Sequence, residues 1–434
     1  MTGARGAGVG AALVALLLAG ACAWGGATGP TGRVAFALAS TVVLASVAWL
    51  VGQPSRCARA TGAERAGLAL AAWAGLGAVP WPSGLVRALA PLTAGSQAAA
   101  LGVPSIVAPS LDPGATARAA LALAGVVFVA MAVRAVCERG GLRWLLRATA
   151  LVALAVASAG LARGRYGEDE PLLFGLSTSN PLNAYGPFAN RGHFAAAVLL
   201  ACAGPVGLLA RPRAWADRWL GALALVAAGA AVVASGSRAG AVGIVVGGVA
   251  ALTCAGRGGR RLALVTAVLG AGVVGGALLG VAPFASRLPV RADEAARLEI
   301  WRGTVALVAE QPVVGVGLDA FRYAYPGDGR GPVEDWVAIA ENDVLQVVAE
   351  TGVVGLAGLA LAAALALRAL GRDRRAAGAG GVPRRLALAP CAAVLPLVAT
   401  ATPLHAPAVA AAAVVAFGCA RGLVRGEADP AVRG

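Results

Sequence analysis

The chain has 434 residues, 59% of them hydrophobic and only 13% charged, with a net charge of +15 in which every basic residue is an arginine. So little charge cannot cover the surface of a water-soluble protein of this length, and that class is excluded. The arginines are scattered one loop at a time, not gathered on an aromatic-interleaved face as nucleic-acid binding needs. The seven cysteines show no Cys-x-x-Cys or Cys/His ligand spacing, so disulfide and zinc readings lack support.

Apolar runs of roughly 15–20 residues recur, about the length that crosses a bilayer as a helix. Backbone groups in lipid must be paired within the segment. The expectation is therefore an all-α polytopic membrane protein forming a single transmembrane domain over residues 1–434. The runs are 9–24, 34–51, a weaker 67–79, 119–136, 145–161, 194–209, 220–234, 239–254, 262–281, 353–367, 386–400 and 408–423, which makes about twelve helices. The first could pass for a signal peptide, with Ala-Gly-Ala-Cys22 a weak lipoprotein-like site, but the spans that follow favour an uncleaved first span. The Pro/Gly/Ser-rich stretch 80–113 reads as a loop with a re-entrant or interfacial piece.

Loop charge orients the spans. Even-numbered exits are basic: Arg56, Arg59 and Arg65; Arg139 and Arg143; Arg211, Arg213 and Arg218; Arg257, Arg260 and Arg261; then a run from Arg368 to Arg385. Odd exits are neutral or acidic. Both termini are then expected in the cytoplasm, and the loop 282–343, between the ninth and tenth spans, outside it. Within that loop, Arg287–Asp343 holds ten acids against six arginines, a local reversal of the chain's overall sign.

Four polar features share the outer face in this topology. In the first, Asn180-Pro181 and Tyr185 to His193 lead into the sixth span, where Asn190 can cap the helix and leave its N–H groups facing an anion, with Arg191 beside it. Upstream, Glu168-Asp169-Glu170 reads as a solvated acidic turn in preference to a cation site. The second is Ser235-Gly236-Ser237-Arg238-Ala239-Gly240, between two spans; an arginine at the mouth of two helices needs a partner, and phosphate suits a guanidinium fork. The third is a helix from Asp293 to Glu310 carrying Arg297 and Trp301 four residues apart, ended by Pro312. Gly315 and Gly317 follow, then Asp319, Phe321, Tyr323 and Tyr325. These residues suit either sugar and phosphate binding or a small core of the loop's own. The fourth is Glu341-Asn342-Asp343 with Gln346 and Glu350, carboxylates descending towards lipid on one helical stripe. A carboxylate there can take a proton from an attacking hydroxyl. His405, between Pro403 and Pro407, reads as structural.

From Tyr185 onward the chain resembles the O-antigen ligase and polymerase family of bacterial membrane glycosyltransferases. The matching pieces are Gly186-Pro187-Phe188 to Asn190 with His193-Phe194-Ala195, and Ser237-Arg238-Ala239-Gly240. They continue with Arg297 to Trp301, Pro312, Gly315, Gly317 and Phe321, and with Asn342-Asp343, Leu345-Gln346 and Glu350-Thr351-Gly352. Their order and spacing carry the resemblance; the first five spans match by hydropathy alone. The resemblance implies transfer of a glycan from a polyprenyl diphosphate carrier (undecaprenyl diphosphate in such bacteria) to a hydroxyl of lipid A-core or of a growing polysaccharide. The place implied is the outer face of the inner (plasma) membrane, with no metal, cofactor or nucleic acid involved. Arg238 and Arg297 would hold the diphosphate, Asn190, Arg191 and Trp301 would line the site, and Asn342 and Asp343 would orient the base. Ligases of this family have a histidine just before the Asn-Asp pair; here Glu341 stands in that place, a weaker base with an unperturbed pKa of about 4.3. Glu341 is then a substitute base, or marks a branch with another acceptor, or marks a chain without transfer activity. A lipid-linked sugar flippase or other transporter is the alternative, but it would want polar residues at mid-membrane on several helices. A non-catalytic member of a polysaccharide export complex is a third.

Overall fold

A computed structural model describes residues 3–52, 59–102, 104–164, 183–252, 291–325, 337–377 and 384–425. They form helices joined by short turns and one two-stranded ribbon. Helices α1 (Gly3–Ala23) and α2 (Pro30–Leu50) pack side by side. Helix α3 (Gly62–Leu76) opens on a capping box: Glu64 N–H donates to Thr61 Oγ1 at 3.3 Å and Thr61 N–H donates to the Glu64 carboxylate at 2.6 Å. Strands β1 (Trp81–Pro82) and β2 (Ile106–Val107) pair antiparallel around two short helices, α4 (Ser83–Leu89) and α5 (Pro91–Leu101). Helix α6 (Pro113–Glu138) starts at the Asp112 cap with Pro113 in its first turn, and α7 (Leu142–Arg163) follows.

The second half continues with α8 (Arg191–Ala201) and α9 (Ala203–Ala210), one span interrupted at Cys202, then α10 (Trp215–Ala234) and α11 (Arg238–Leu252). Helix α12 (Arg291–Glu310), the single turn α13 (Phe321–Ala324) and the long α14 (Asp343–Ala377) follow. The chain closes with α15 (Arg384–Ala392), α16 (Leu395–Thr400) and α17 (Pro407–Arg425).

Eight of the described spans are long and apolar enough to cross a bilayer, and two shorter apolar helices, 238–251 and 386–400, accompany them. Eight is fewer than the expected count of about twelve, and the remaining expected runs are short, divided or outside the described residues. The 15-residue α3 rises only roughly 22 Å against a hydrocarbon core of about 30 Å. The run 386–400 is divided into α15 and α16, with Pro390 and Pro396 each lacking a backbone donor. The ninth run, 262–281, lies outside the described residues. The all-α, multi-pass character of the chain stands.

The core is built from small side chains, among them Val14, Val47, Val129, Ala150, Val198 and Val415. Apolar side chains gain little by leaving lipid, so close backbone approach does the work of holding helices together. At Gly204 a Cβ would sit 2.5 Å from the Leu146 carbonyl oxygen, so α9 lies directly on the backbone of α7.

Helix α14 is broken at Gly352, where φ is +66°. The segment after α12 is docked into this break. Val316 and Gly317 N–H donate to the carbonyls of Ala349 and Glu350 at 2.9 and 3.0 Å, and Val353 N–H donates to the Pro312 carbonyl at 2.8 Å. Gln311 adds a tie to α5, accepting from Thr93 N–H at 2.8 Å, and donates to the Gly315 carbonyl at 2.7 Å. Backbone groups freed by an interrupted helix must find partners, and the 311–317 segment supplies them. Leu307, Val316, Phe321, Tyr325, Ala340 and Ala349 form a small buried core of this region, so two of the aromatics open to sugar binding are spent on packing.

Candidate active site

Helices α8, α11 and α14 all begin at one end of the bundle, where α16 ends and α12 lies across. A cavity of about 510 Å³ opens between them. Asn190, Arg191, Arg238, Arg297 and Glu341 line it, together with Ser237, Ile300 and Thr400. Five of the eight residues singled out from the sequence are therefore neighbours, though they come from four separated stretches of chain.

Each is positioned locally. The turn before α8 is closed by reciprocal backbone bonds between Tyr185 and Phe188 at 3.0 and 3.1 Å. Both rings pack edge-on to Phe194, at 4.9 and 6.2 Å. Asn190 Oδ1 then accepts the Gly192 N–H at 2.7 Å, which sets Arg191 as the first residue of α8. The turn into α11 uses Gly236 at φ +67°. Ser235 Oγ donates to the Val232 carbonyl at 2.6 Å and accepts from Ser237 N–H at 3.2 Å, and Ser237 Oγ accepts the Gly240 N–H at 3.2 Å. Arg238 is thereby the first residue of α11. Two helix N-termini, each opening on an arginine, border one cavity, and Arg297 joins them from α12. Positive helix ends and guanidinium forks favour an anion such as a phosphate.

Glu341 is the only carboxylate on the described wall of the cavity, and its backbone is left-handed, φ +52°. For a residue with a Cβ that conformation costs roughly 1–2 kcal/mol. It is clamped on both sides. Ala340 N–H donates to Gln346 Oε1 at 2.6 Å. Asn342 Oδ1 accepts the N–H groups of Val344 and Leu345 at 2.9 and 3.1 Å while its Nδ2 donates to the Ala399 carbonyl at 3.0 Å. Asp343 turns inward and accepts the Leu404 N–H at 3.2 Å. Asn342 and Asp343 do not line the cavity; they fix the start of α14. Trp301, one turn along α12 from Arg297, is also absent from the lining, and its indole N–H is buried without a hydrogen-bond partner. Glu168-Asp169-Glu170 and Asn180-Pro181 fall outside the described residues.

A buried polar network lies behind Glu341. Gln346 Nε2 donates to Glu350 Oε1 at 2.7 Å, and the other Glu350 oxygen is 3.9 Å from His405 Nδ1. Arg33, only 3% exposed, grips both oxygens of Asp319 at 3.0 Å, and Arg322 reaches the same carboxylate at 2.8 Å. His405 Nε2 sits 3.1 Å from Asp319 Oδ1 and 3.0 Å from Arg33 Nη2, donating to the first when protonated and accepting from the second when not. Burial alone would raise the Asp319 pKa; the hydrogen bond from His405 and the charges of His405, Arg33 and Arg322 outweigh it and bring the carboxyl down to about 2. Burial would likewise lower His405, but the charge of Glu350 and the bond to Asp319 prevail over the opposing Arg33, and its pKa is raised.

Ligand atoms of Asp319, Glu350 and His405 lie within 4.8 Å of one another, a spacing that could hold a metal ion. The fit is poor. Both Asp319 oxygens already accept from guanidinium groups, and two arginines supply the positive charge that a cation would bring. Arg33 was passed over in the sequence, yet a signal was there: it opens an apolar span at the end where arginines are otherwise scarce, and such a charge needs a partner.

Residues 222–360 match the family model described as O-Antigen ligase. The match runs from α10 into α14 and takes in Arg238, Arg297 and Glu341; Asn190, Arg191 and Thr400 reach the cavity from outside it. No curated protein matches the chain.

Proposed function

We propose, from the match of residues 222–360 to the O-Antigen ligase family model, that the chain moves a glycan from a polyprenyl diphosphate carrier to a hydroxyl acceptor. The acceptor class is lipid A-core or a growing polysaccharide, and the reaction belongs to the outer face of a bacterial inner membrane. One observation carries the reading: arginines from three elements and a single strained carboxylate border one cavity.

In this scheme Arg238 and Arg297 hold the diphosphate, with Arg191 at the mouth. Glu341 takes the proton of the acceptor hydroxyl as its oxygen attacks the anomeric carbon. The bond from that carbon to the diphosphate oxygen breaks, and the diphosphate leaves with the bonding electrons. Charge developing on the leaving group meets guanidinium groups already in position, so binding and catalysis use the same residues. Those guanidiniums take the charge-balancing part that a metal plays in other glycan transfers, and turnover is expected to survive chelators. Asn342 and Asp343 act on Glu341 through the start of α14, as positioning residues.

The test is transfer of a radiolabelled polyprenyl-diphosphate glycan by the purified protein in proteoliposomes, with lipid A-core and with oligosaccharide acceptors. Arg238→Ala and Arg297→Ala should each lower kcat/KM by about 10²–10³-fold. Wild-type turnover in both variants, or turnover that requires added Mg²⁺, would overturn the scheme.

A further inference from the structure

A second cleft, of about 420 Å³, opens at the far end of α14, between α3, α6, α14 and α17. Arg372 at this cleft and Glu341 at the first cavity are separated by roughly 40 Å along α14, so the two spaces are distinct. The sequence explains the opening. Ala130, Ala366 and Ala413 face into it and are too small to fill the space between their helices, while Leu359 and Phe417 complete an apolar wall. The wall follows α17 from Ala413 to Arg425, roughly 18 Å, close to one leaflet of a hydrocarbon core about 30 Å thick. The span at its edge, Asp343–Asp373, has only 11% of its apolar window buried in the protein, so the cleft meets the lipid phase.

One end of the cleft is cationic. Arg134, Arg372, Arg421 and Arg425 line it against the single acid Glu64. Arg134 is committed to Glu64 at 2.8 Å, and Arg421 and Arg425 share Asp373 at 2.8 and 2.9 Å. Arg372 is exposed and makes no ion pair among the described residues. An apolar furrow one leaflet long, ending in guanidinium groups, matches the two halves of an anionic phospholipid. We propose that this cleft binds one anionic glycerophospholipid, its phosphate on Arg372 and an acyl chain along the alanine-lined wall. The bound lipid ties α14, which begins beside Glu341, to α6 and α17.

The test is native mass spectrometry of the delipidated full-length protein with dioleoyl phosphatidylglycerol or dioleoyl phosphatidylcholine. One phosphatidylglycerol should be retained in preference to phosphatidylcholine by about tenfold. Arg372→Ala removes an exposed side chain without an ion pair and should weaken retention about fivefold. Ala366→Trp fills the furrow and should abolish it, and free glycerol phosphate should not compete. Equal retention of both lipids, retention untouched by either substitution, or displacement by glycerol phosphate would each overturn the assignment.

Discussion

Cutting Asp319 back to alanine strips the counter-ion from a guanidinium that has almost no access to solvent. Arg33 is 3% exposed; apart from Asp319 its partners are the Thr28 carbonyl at 3.1 Å and His405 at 3.0 Å. Removing one partner of a buried pair costs about 3–5 kcal/mol, because the remaining charge is stranded. Removing both charges, as Arg33→Leu with Asp319→Ala, should cost at least ~2 kcal/mol less than the sum of the single losses. The assay is reversible unfolding in mixed micelles for the four proteins of the cycle, comparing midpoints at matched slopes. The same pair should show in acid. A depressed carboxyl pKa stabilises the fold above its unfolded value and loses that contribution as the pH falls through the folded value. For Asp319, taken from 3.8 to about 2, the contribution is about 2 kcal/mol, present above pH ~4 and absent below pH ~2. A loss under ~1 kcal/mol in Asp319→Ala, or strictly additive losses in the cycle, would refute the reasoning.

Glu341→Gly should relieve the left-handed backbone and raise stability by about 1 kcal/mol while abolishing transfer, measured by unfolding midpoint and product yield on the same preparation. His405, whose pKa is raised, contributes stability in its protonated form. That contribution is complete below the unfolded value of about 6.5 and is lost as the pH rises through the higher folded value. Unfolding midpoints of wild type should therefore fall on the alkaline side, and those of His405→Gln should fall less over the same range.

Much of the bundle is legible because hydropathy reports on apolar spans directly. What hydropathy does not encode is where a helix is interrupted. The breaks at Cys202 and Gly352, and the division of α15 from α16, are set by neighbours: the Gly352 break is filled by backbone groups from the 312–317 segment, nearly forty residues upstream. The cavity follows the same pattern. Arg238 and Asn190 stand out because short polar turns between apolar runs are conspicuous. Arg33 shows in the sequence only as an arginine that needs some partner, since that partner, Asp319, lies 286 residues away. Trp301 shares a helix with Arg297, and spacing alone did not reveal that its ring is kept out of the cavity lining. The left-handed backbone of Glu341 also has no signature in a sequence where it is followed by the ordinary helix-capping residue Asn342.

The central claim is that Glu341 takes the acceptor's proton beside a carrier held by arginines. Single-turnover transfer by Glu341→Gln, with donor binding measured on the same sample, tests it most directly. The account predicts a chemical step slower by about 10²–10⁴-fold with donor affinity nearly unchanged. A glutamine variant that transfers at the wild-type rate, or one that fails only because it no longer binds the donor, would contradict it.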